Sequence, residues 1–371
     1  MKKALLITTV SGFIPQFEMN NVKILQNKGY EVHYASNFNY PFYGSNNSKL
    51  EGTGIICHHI DFARSPFNLN KLLAACRQLK LLKKNINFDL VHCHTPLGGA
   101  IGRIVFPANK NRKVIYTAHG FHFYKGAPIQ NWLIYYPVEK ILSKFTDTII
   151  TINKEDYQRA KKFHSKVVKY IPGVGIDTSR FERVNIKQDK KRDEFDIPKD
   201  AKVILSVGEI NKNKNHEIII KAIADIKKTN IYYLVCGQGD LEPQLKKLIQ
   251  EYGLEKRVKL LGYRNDVDEI YKISDIFAFP SYREGLSVAL MEAMSFGLPC
   301  VVSNIRGNKD LIHQGKGGYL VHPDDVDGFI KAILELSTNE EKCKKMKSEN
   351  IKNAKNYDLS KIAKKMEKIY F

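Results

Sequence analysis

The chain lacks any Cys-x-x-Cys pair; its six cysteines, Cys57, Cys76, Cys93, Cys236, Cys300 and Cys343, are scattered. That spacing argues against a disulfide framework or a zinc knuckle, and reduced thiols in a cytoplasm are expected. No apolar stretch reaches about 18 residues, the minimum for a membrane-spanning helix. The opening MKKALLITTV imitates a secretory signal, but the apolar run stops at Ser11-Gly12 without a small-residue cleavage site. A buried first strand is expected there instead. Low-complexity tracts and short repeats are missing as well. What remains, 371 residues of which 43% are hydrophobic and 26% charged, has the composition of a soluble globular protein with room for two domains.

Positive charge is in excess. The formal net charge is +20, and it is uneven: residues 1–180 hold 25 Lys and Arg against 10 Asp and Glu, residues 181–371 hold 34 against 29. The first half is therefore expected to face something acidic: anionic lipid headgroups, a phosphorylated acceptor or nucleic acid. No nucleic-acid-binding module is recognisable, so nucleic acid is not an expected partner.

Short β-rich runs alternate with amphipathic segments throughout. In the first half they are ALLITTV, EVHYAS, GIICHHI, DLVHCH, KVIYTA and DTIITI; in the second, KVILSVG, IYYLVCG, RVKLLG, DIFAFPS, PCVVS and GGYLV. This alternation predicts an α/β fold with two doubly wound parallel sheets covered by helices. Pro172, Gly173 and Gly175 punctuate the chain between them. The expected domains are 1–172 and 173–355, with 356–371 a packing helix that returns to the first domain. In open parallel sheets the ligand lies at the carboxyl ends of the strands, so two such domains facing a cleft would hold the chemistry there.

The stretch SYREGLSVALMEAMSFGLPC places Glu284 and Glu292 eight positions apart, across a strand end and the helix that follows. If helical throughout, eight positions cover roughly 12 Å, the scale of a nucleoside diphosphate carrying a sugar. The helix N-terminus would offer free N–H groups to a pyrophosphate, with Gly285 allowing close approach and a carboxylate on either side to accept from hydroxyls.

In this context the sequence resembles the family-4 retaining glycosyltransferases of GT-B fold. The resemblance rests on PSYREGLSVALMEAMSFGLPCVVSNIRGNKDLI, SVGEINKNKNH, CGQGDLE, LGYRNDV and IPGVGIDTSRF, and in the first half on HTPLGGAIGR and YTAHGFHFYKG, which look like the branch that builds bacterial capsule and exopolysaccharide. It implies transfer of a hexosyl or N-acetylhexosaminyl group from a UDP-sugar donor to a polyprenyl-diphosphate-linked saccharide, with retention at the anomeric carbon and without a metal ion or other cofactor. Carried over by residue, Glu292 resembles the ribose-binding carboxylate and Glu284 the one contacting the donor sugar. Gly285, Leu286 and Ser287 would meet the phosphates and sugar, and Lys214, with help from Lys212, would neutralise the diphosphate. His119 resembles the histidine beside the transferred sugar. Gly12 is either the close-approach turn after the first strand or an ordinary turn; Tyr263 and Arg264 either flank the base or pack the loop. One departure stands out: Glu209 follows the glycine of the VG strand, where the family commonly has arginine.

Two other constellations compete. Asp266 and Asp268 form an Asp-x-Asp, but at the start of a helix, where aspartate is favoured as a cap, so no metal is expected. His92 and His94 would share one face of a strand with Cys93 on the other, so the three do not converge on a metal; the Cys57-His58-His59 run reads likewise as structural or cleft histidines. For the acceptor side, NKLLAACRQLKLLKKNI puts Leu72, Cys76, Leu79 and Ile86 on one helical face and Lys80, Lys83 and Lys84 outside it. Trp132, Tyr135 and Tyr136 add aromatic surface. With the basic first half, these predict docking on the inner face of an anionic membrane. A sugar-nucleotide epimerase of related shape and a basic polyanion-binding protein without transferase activity are the alternatives.

Overall fold

The structure, a computed structural model, describes residues 1–371 except 40–46, 64, 66 and 227–229. The chain forms two compact units, Met1–Val174 with Ser360–Phe371, and Gly175–Leu359. A backbone clasp sets these limits: Ile176 N–H donates to Tyr357 O at 2.9 Å and Leu359 N–H to Ile176 O at 2.9 Å. The breaks thus fall after 174 and 359 rather than after 172 and 355.

The first unit is built on seven parallel strands, β1 (Lys2–Val10), β2 (Tyr30–Asn37), β3 (Ile56–His59), β4 (Leu90–Cys93), β5 (Lys113–Ala118), β6 (Thr148–Thr151) and β7 (Val167–Tyr170), in the order β3-β2-β1-β4-β5-β6-β7. Central strands buried on both faces read as continuous apolar runs, as in Ala4–Ile7 of β1, all at 0% exposure. Strand β7 is the one that sequence patterning misses. It is an edge strand whose side chains alternate between exposed and half-buried, so it carries no apolar run.

Helix α1 (Met19–Asn27) and the C-terminal helix Leu359–Tyr370 cover one face of this sheet; α2 (Leu69–Asn85), α3 (Pro96–Val105) and α4 (Ile129–Leu142) cover the other. Ile362, Met366, Ile369 and Tyr370 join the core under α1. Tyr370 Oη is hydrogen-bonded to His92 Nδ1 at 2.8 Å, and Lys28 pairs with Glu367 at 2.7 Å. Helix α3 approaches closely because a Cβ on Gly98 would lie 3.0 Å from the Thr8 backbone and one on Gly102 2.7 Å from Cys93 Sγ.

Two expectations about the outer helices change. Leu79 of α2 is buried and Leu72, Cys76 and Ile86 pack beside it, but Lys83 is not on the solvated side: its Nζ donates to Val105 O of α3 at 2.7 Å. On α4, Trp132, Tyr135 and Tyr136 turn inward against Phe123, His122 and Phe163. The surface they leave is aliphatic, comprising Ile129, Leu133, Ile134, Val138 and Ile141.

Between α3 and α4 lies a buried ion pair. Arg103, 0% exposed, donates from Nε to Gly99 O at 2.8 Å and from Nη2 to Glu139 Oε2 at 2.9 Å. Its guanidinium carbon stands 3.8 Å from the Tyr116 ring centroid, and Tyr116 Oη donates to Glu139 Oε1 at 3.2 Å.

The second unit has six parallel strands, β8 (Lys202–Val207), β9 (Ile231–Cys236), β10 (Val258–Gly262), β11 (Ile276–Phe279), β12 (Cys300–Ser303) and β13 (Gly318–Val321), in the order β10-β9-β8-β11-β12-β13. These are the six runs expected from the sequence. Its core joins Ile218, Ile219 and Ile223 of the His216–Asp225 helix to β8, β9 and the Val326–Thr338 helix.

Removing one partner of a buried pair typically costs about 3–5 kcal/mol, because the other charge is left without compensation. Glu139→Ala is expected to destabilise the first unit by that amount in urea unfolding followed by the fluorescence of Trp132, the single tryptophan. Leu133→Ser, on the outer side of the same helix, should stay within about 0.5 kcal/mol of wild type.

Candidate active site

In the second sheet the strand order reverses between β8 and β11, and the loops leaving these two strands meet. Tyr282 N–H donates to Asn213 O at 2.8 Å, Asn213 Nδ2 to Arg283 O at 3.0 Å, and Asn215 Nδ2 to Pro280 O at 3.3 Å. Asn215 takes a left-handed conformation (φ 54°), which ends the first loop and starts the helix that follows. Laced in this way, the loops bring Lys214 Nζ to 2.8 Å from Glu284 Oε1. The ammonium also sits 4.5 Å from the Phe279 ring centroid.

The helix after β11 runs Val288–Ser295, with Ser287 as its N-cap accepting from Leu290 N–H at 3.3 Å. Glu284 therefore lies in the loop, and only the second half of the eight-residue interval to Glu292 is helical. Gly285 is backed by Gly307 (φ 79°), where a Cβ would stand 2.4 Å from Gly285 O. Leu286 and Ser287 are both buried. Glu292 faces a cation that the sequence reading did not anticipate. Arg180, from the IDTSRF segment, donates to Glu292 Oε1 from Nη1 and to both carboxylate oxygens of Asp268 from Nε and Nη2. Glu292 Oε2 lies 3.5 Å from Tyr271 Oη. Burial pushes the Glu292 carboxyl up, against the pull of Arg180.

The remaining predicted residues are dispersed around this centre. Glu209 and Lys212 are exposed. Tyr263 is 50% exposed, whereas its neighbour Arg264 is held by Asp266 at 2.6 Å and Glu194 at 2.8 Å. Asp266 is the residue before the Val267–Ile273 helix but makes no side-chain cap; its carboxylate takes Arg264 and Lys191 instead. The two carboxylates of the Asp-x-Asp thus belong to different cations, Asp268 to Arg180 and Asp266 to Arg264 and Lys191. The hydrogen bonds from Arg264, together with that from Lys191, hold Asp266 well below the usual carboxylate range.

In the first unit Gly12 lies in the turn after β1, its carbonyl accepting from Gln16 N–H at 3.2 Å. A π-helical turn, Ile14–Glu18, follows and carries Glu18 into the interior. His119, after β5, has Nε2 at 3.1 Å from Nδ1 of His94, which follows β4, and both nitrogens face Glu18 Oε1, at 3.7 and 3.5 Å. His92 and His94 share a face with ring centroids 4.0 Å apart, while Cys93 packs in the opposite core. His58 stacks on His33 and His59 bonds Asp61, so neither joins this group.

Sequence reasoning missed Arg180 and Glu18, and read His94 as a structural or cleft histidine without pairing it with His119. Arg180 had a signal in lying within a motif that was noticed; Glu18, a lone glutamate between Phe17 and Met19, had none beyond its place after the first strand.

The family described as "Glycosyl transferases group 1" matches residues 187–353, and "Glycosyl transferase 4-like" matches residues 3–153. The chain is 34% identical to "Putative glycosyltransferase EpsD" of Bacillus subtilis, over 100% of this chain and 96% of that protein. It is 33% identical to the "UDP-Gal:alpha-D-GlcNAc-diphosphoundecaprenol alpha-1,3-galactosyltransferase" of Escherichia coli, over 78% and 76%. Among solved structures, Anabaena Alr3699/HepE in complex with UDP superposes with a TM-score of 0.80 at 20% identity, covering 100% of this chain and 99% of that one. WaaG, a glycosyltransferase of lipopolysaccharide biosynthesis, does so with a TM-score of 0.76 at 16% identity, covering 99% of both chains. With two parallel-sheet units, and with relatives matching along its whole length, the chain belongs to the family-4 glycosyltransferases of GT-B fold.

Proposed function

We propose that this chain moves a hexosyl or N-acetylhexosaminyl group from a UDP-sugar to a polyprenyl-diphosphate-linked saccharide in surface polysaccharide synthesis, with retention of the anomeric configuration and without a metal ion. The observation that carries this reading is the Lys214–Glu284 pair beside the start of the Val288–Ser295 helix. An ammonium and free helix N–H groups give a diphosphate its counter-charge, and a carboxylate next to them accepts from sugar hydroxyls. The bond from the anomeric carbon to the phosphate oxygen breaks, the acceptor oxygen attacks from the same face, and its proton passes to the departing phosphate. Lys214 stabilises the charge growing on that phosphate. Glu284 binds and orients, and Glu292, steadied by Arg180, offers its second oxygen to the ribose.

The acceptor side finds support in the outer face of the first unit. Leu69, Leu73 and Leu81 of α2, Ile104 of α3, and Leu133 and Ile141 of α4 are each more than half exposed, on three helices packed side by side. Lys80, Lys84 and Lys144 are exposed in the same layer. Apolar side chains with lysines among them suit the headgroup region of an anionic bilayer on the cytoplasmic side. The Escherichia coli relative acts, by its name, on a diphosphoundecaprenol-linked sugar, and a shared acceptor chemistry would place this chain at the same surface.

Titration with a panel of UDP- and GDP-sugars in EDTA should show one UDP-sugar bound. Glu292→Ala should weaken it by at least tenfold, and Arg180→Ala by about tenfold through loss of the fixed carboxylate; wild-type affinity in both variants would sink the donor assignment. Lys214→Ala should lower kcat by roughly 10²-fold, the usual effect of removing one group that stabilises transition-state charge. NMR of the product should show a retained anomer, whereas isomerisation of the UDP-sugar without acceptor would identify an epimerase. Vesicles containing anionic lipid should bind the protein more tightly than neutral ones, and the triple substitution Leu133→Ser, Ile134→Ser, Ile141→Ser should release it. Equal binding to both vesicles would remove the membrane from this proposal.

A further inference from the structure

The first sheet, like the second, has a single point where its strand order reverses, between β1 and β4. Glu18 follows β1, His94 follows β4, and His119 follows β5 on the adjacent strand. Their donor and acceptor atoms meet at 3.1, 3.5 and 3.7 Å. The turn that carries Glu18 is π-helical, a geometry that recurs at functional sites. Glu18 is 3% exposed and His94 0%, while the His119 side chain keeps 20% of its surface accessible. His119 is thus the open member of a cluster whose other two members are sealed in.

We propose that Glu18 and His94 are positioning residues for His119, an uncharged clamp that fixes its ring and its tautomer. The inference rests on the reading of His119 as the residue beside the transferred sugar. The hydrogen-bond inventory gives the tautomer. His94 Nε2 is buried with no partner, and a buried N–H without an acceptor is rarer than a lone pair without a donor. The His94 proton therefore sits on Nδ1 and is donated to His119 Nε2. His119 must then carry its own proton on Nδ1 and present that N–H as a donor, the form suited to a sugar oxygen.

The surroundings keep the clamp neutral. Glu18 lies in a small cavity shared with Thr117, His119, Ile171 and Met366, and among the described residues no Lys or Arg lines it. Its other oxygen accepts from Asn21 Nδ2. The titratable groups facing it are His94 and His119 from the ends of β4 and β5, and Tyr370 of the C-terminal helix, which is bonded to His92. Burial raises the Glu18 carboxyl to about 8 and lowers His119 to about 4 and His92 to about 3, with His94 lower than usual as well. Below about pH 8 the carboxyl is protonated and all members are neutral. Above it, Glu18 has lost its proton and is an acceptor only, so its Oε1 competes with His119 Nε2 for the Nδ1–H of His94 and changes what His119 offers.

The first readout is the nitrogen chemical shifts of the histidines in ¹⁵N-histidine-labelled full-length protein, with His119→Asn to assign the signal. Wild type should show His119 neutral at pH 6 with its proton on Nδ1. In Glu18→Ala and in His94→Ala the tautomers should mix and the ring should titrate closer to 6.5. A spectrum unchanged by either substitution overturns the clamp. The second readout is the pH profile of transfer. Wild-type kcat should fall above about pH 8, and Glu18→Gln, which keeps a neutral hydrogen-bonding group, should retain kcat at pH 7 within about threefold and lose that alkaline fall. Glu18→Ala should lose about tenfold in kcat with the donor KM unchanged. Glu18→Gln as inactive as Glu18→Ala would make the ionised carboxylate the working form and overturn the proposal. So would stoichiometric zinc in the purified protein that disappears in Glu18→Gln, since three such donors can also hold a cation. Histidine spectra as expected but no transfer with any UDP-sugar would instead remove the proposed function and leave the clamp standing.

Discussion

A parallel strand cannot be reached by a tight turn; each needs a crossover, so all loops leaving the carboxyl ends of the strands gather on one edge of the sheet. Both sheets here are wholly parallel, and in each the crossovers depart in opposite directions from a single point. That reversal leaves a crevice that neither set of helices covers. Glu18 and His94 come from the two loops that flank it in the first unit, Lys214 and Glu284 from the two that flank it in the second. The placement of these side chains is therefore a consequence of strand order, and the same geometry occurs twice with different side chains.

The difference lies in how charge is handled. In the second unit four carboxylates near the crevice have fixed cations: Glu284 has Lys214, Glu292 and Asp268 share Arg180, and Asp266 has Arg264 and Lys191. Groups held in this way do not need to reorganise when an anionic ligand arrives, which is how preorganised electrostatics lowers a barrier. Among the described residues the crevice of the first unit contains no such cation, and its carboxyl and three imidazoles are pushed toward their neutral forms by burial. The second unit offers fixed cations at its crevice, and the first, among its described residues, offers neutral hydrogen-bonding groups.

What the sequence revealed followed contact distance along the chain. Twelve of the thirteen strands were visible, because a strand buried on both faces is apolar over its own length; β7, at an edge, was not. The glutamate pair, Lys214 and His119 were legible through motifs that lie within a few residues of a strand end. The partners of these residues were not, since Arg180 meets Glu292 from 112 positions away and Lys214 meets Glu284 from 70. No local pattern encodes such a meeting. The aromatic residues of α4 show the converse failure: their composition was read correctly, but the direction in which they point depends on Phe123 and Phe163, which only the folded sheet brings alongside.

Helix α4 also explains why a buried ion pair would be kept beneath an aliphatic surface. With aromatic residues on its inner side and isoleucine, leucine and valine on its outer side, its apolarity does not define which face should meet the sheet. The Glu139 carboxylate removes that ambiguity, because only one rotation brings it to Arg103 and Tyr116, and every other rotation leaves Arg103 buried and alone. The pair contributes little net stability against an apolar replacement, but it ranks the orientations of a helix that hydrophobicity alone would leave undecided. A helix that carries aliphatic side chains on its outer face gives up amphipathic patterning as its guide to orientation, and a buried charge pair is a physical substitute for it.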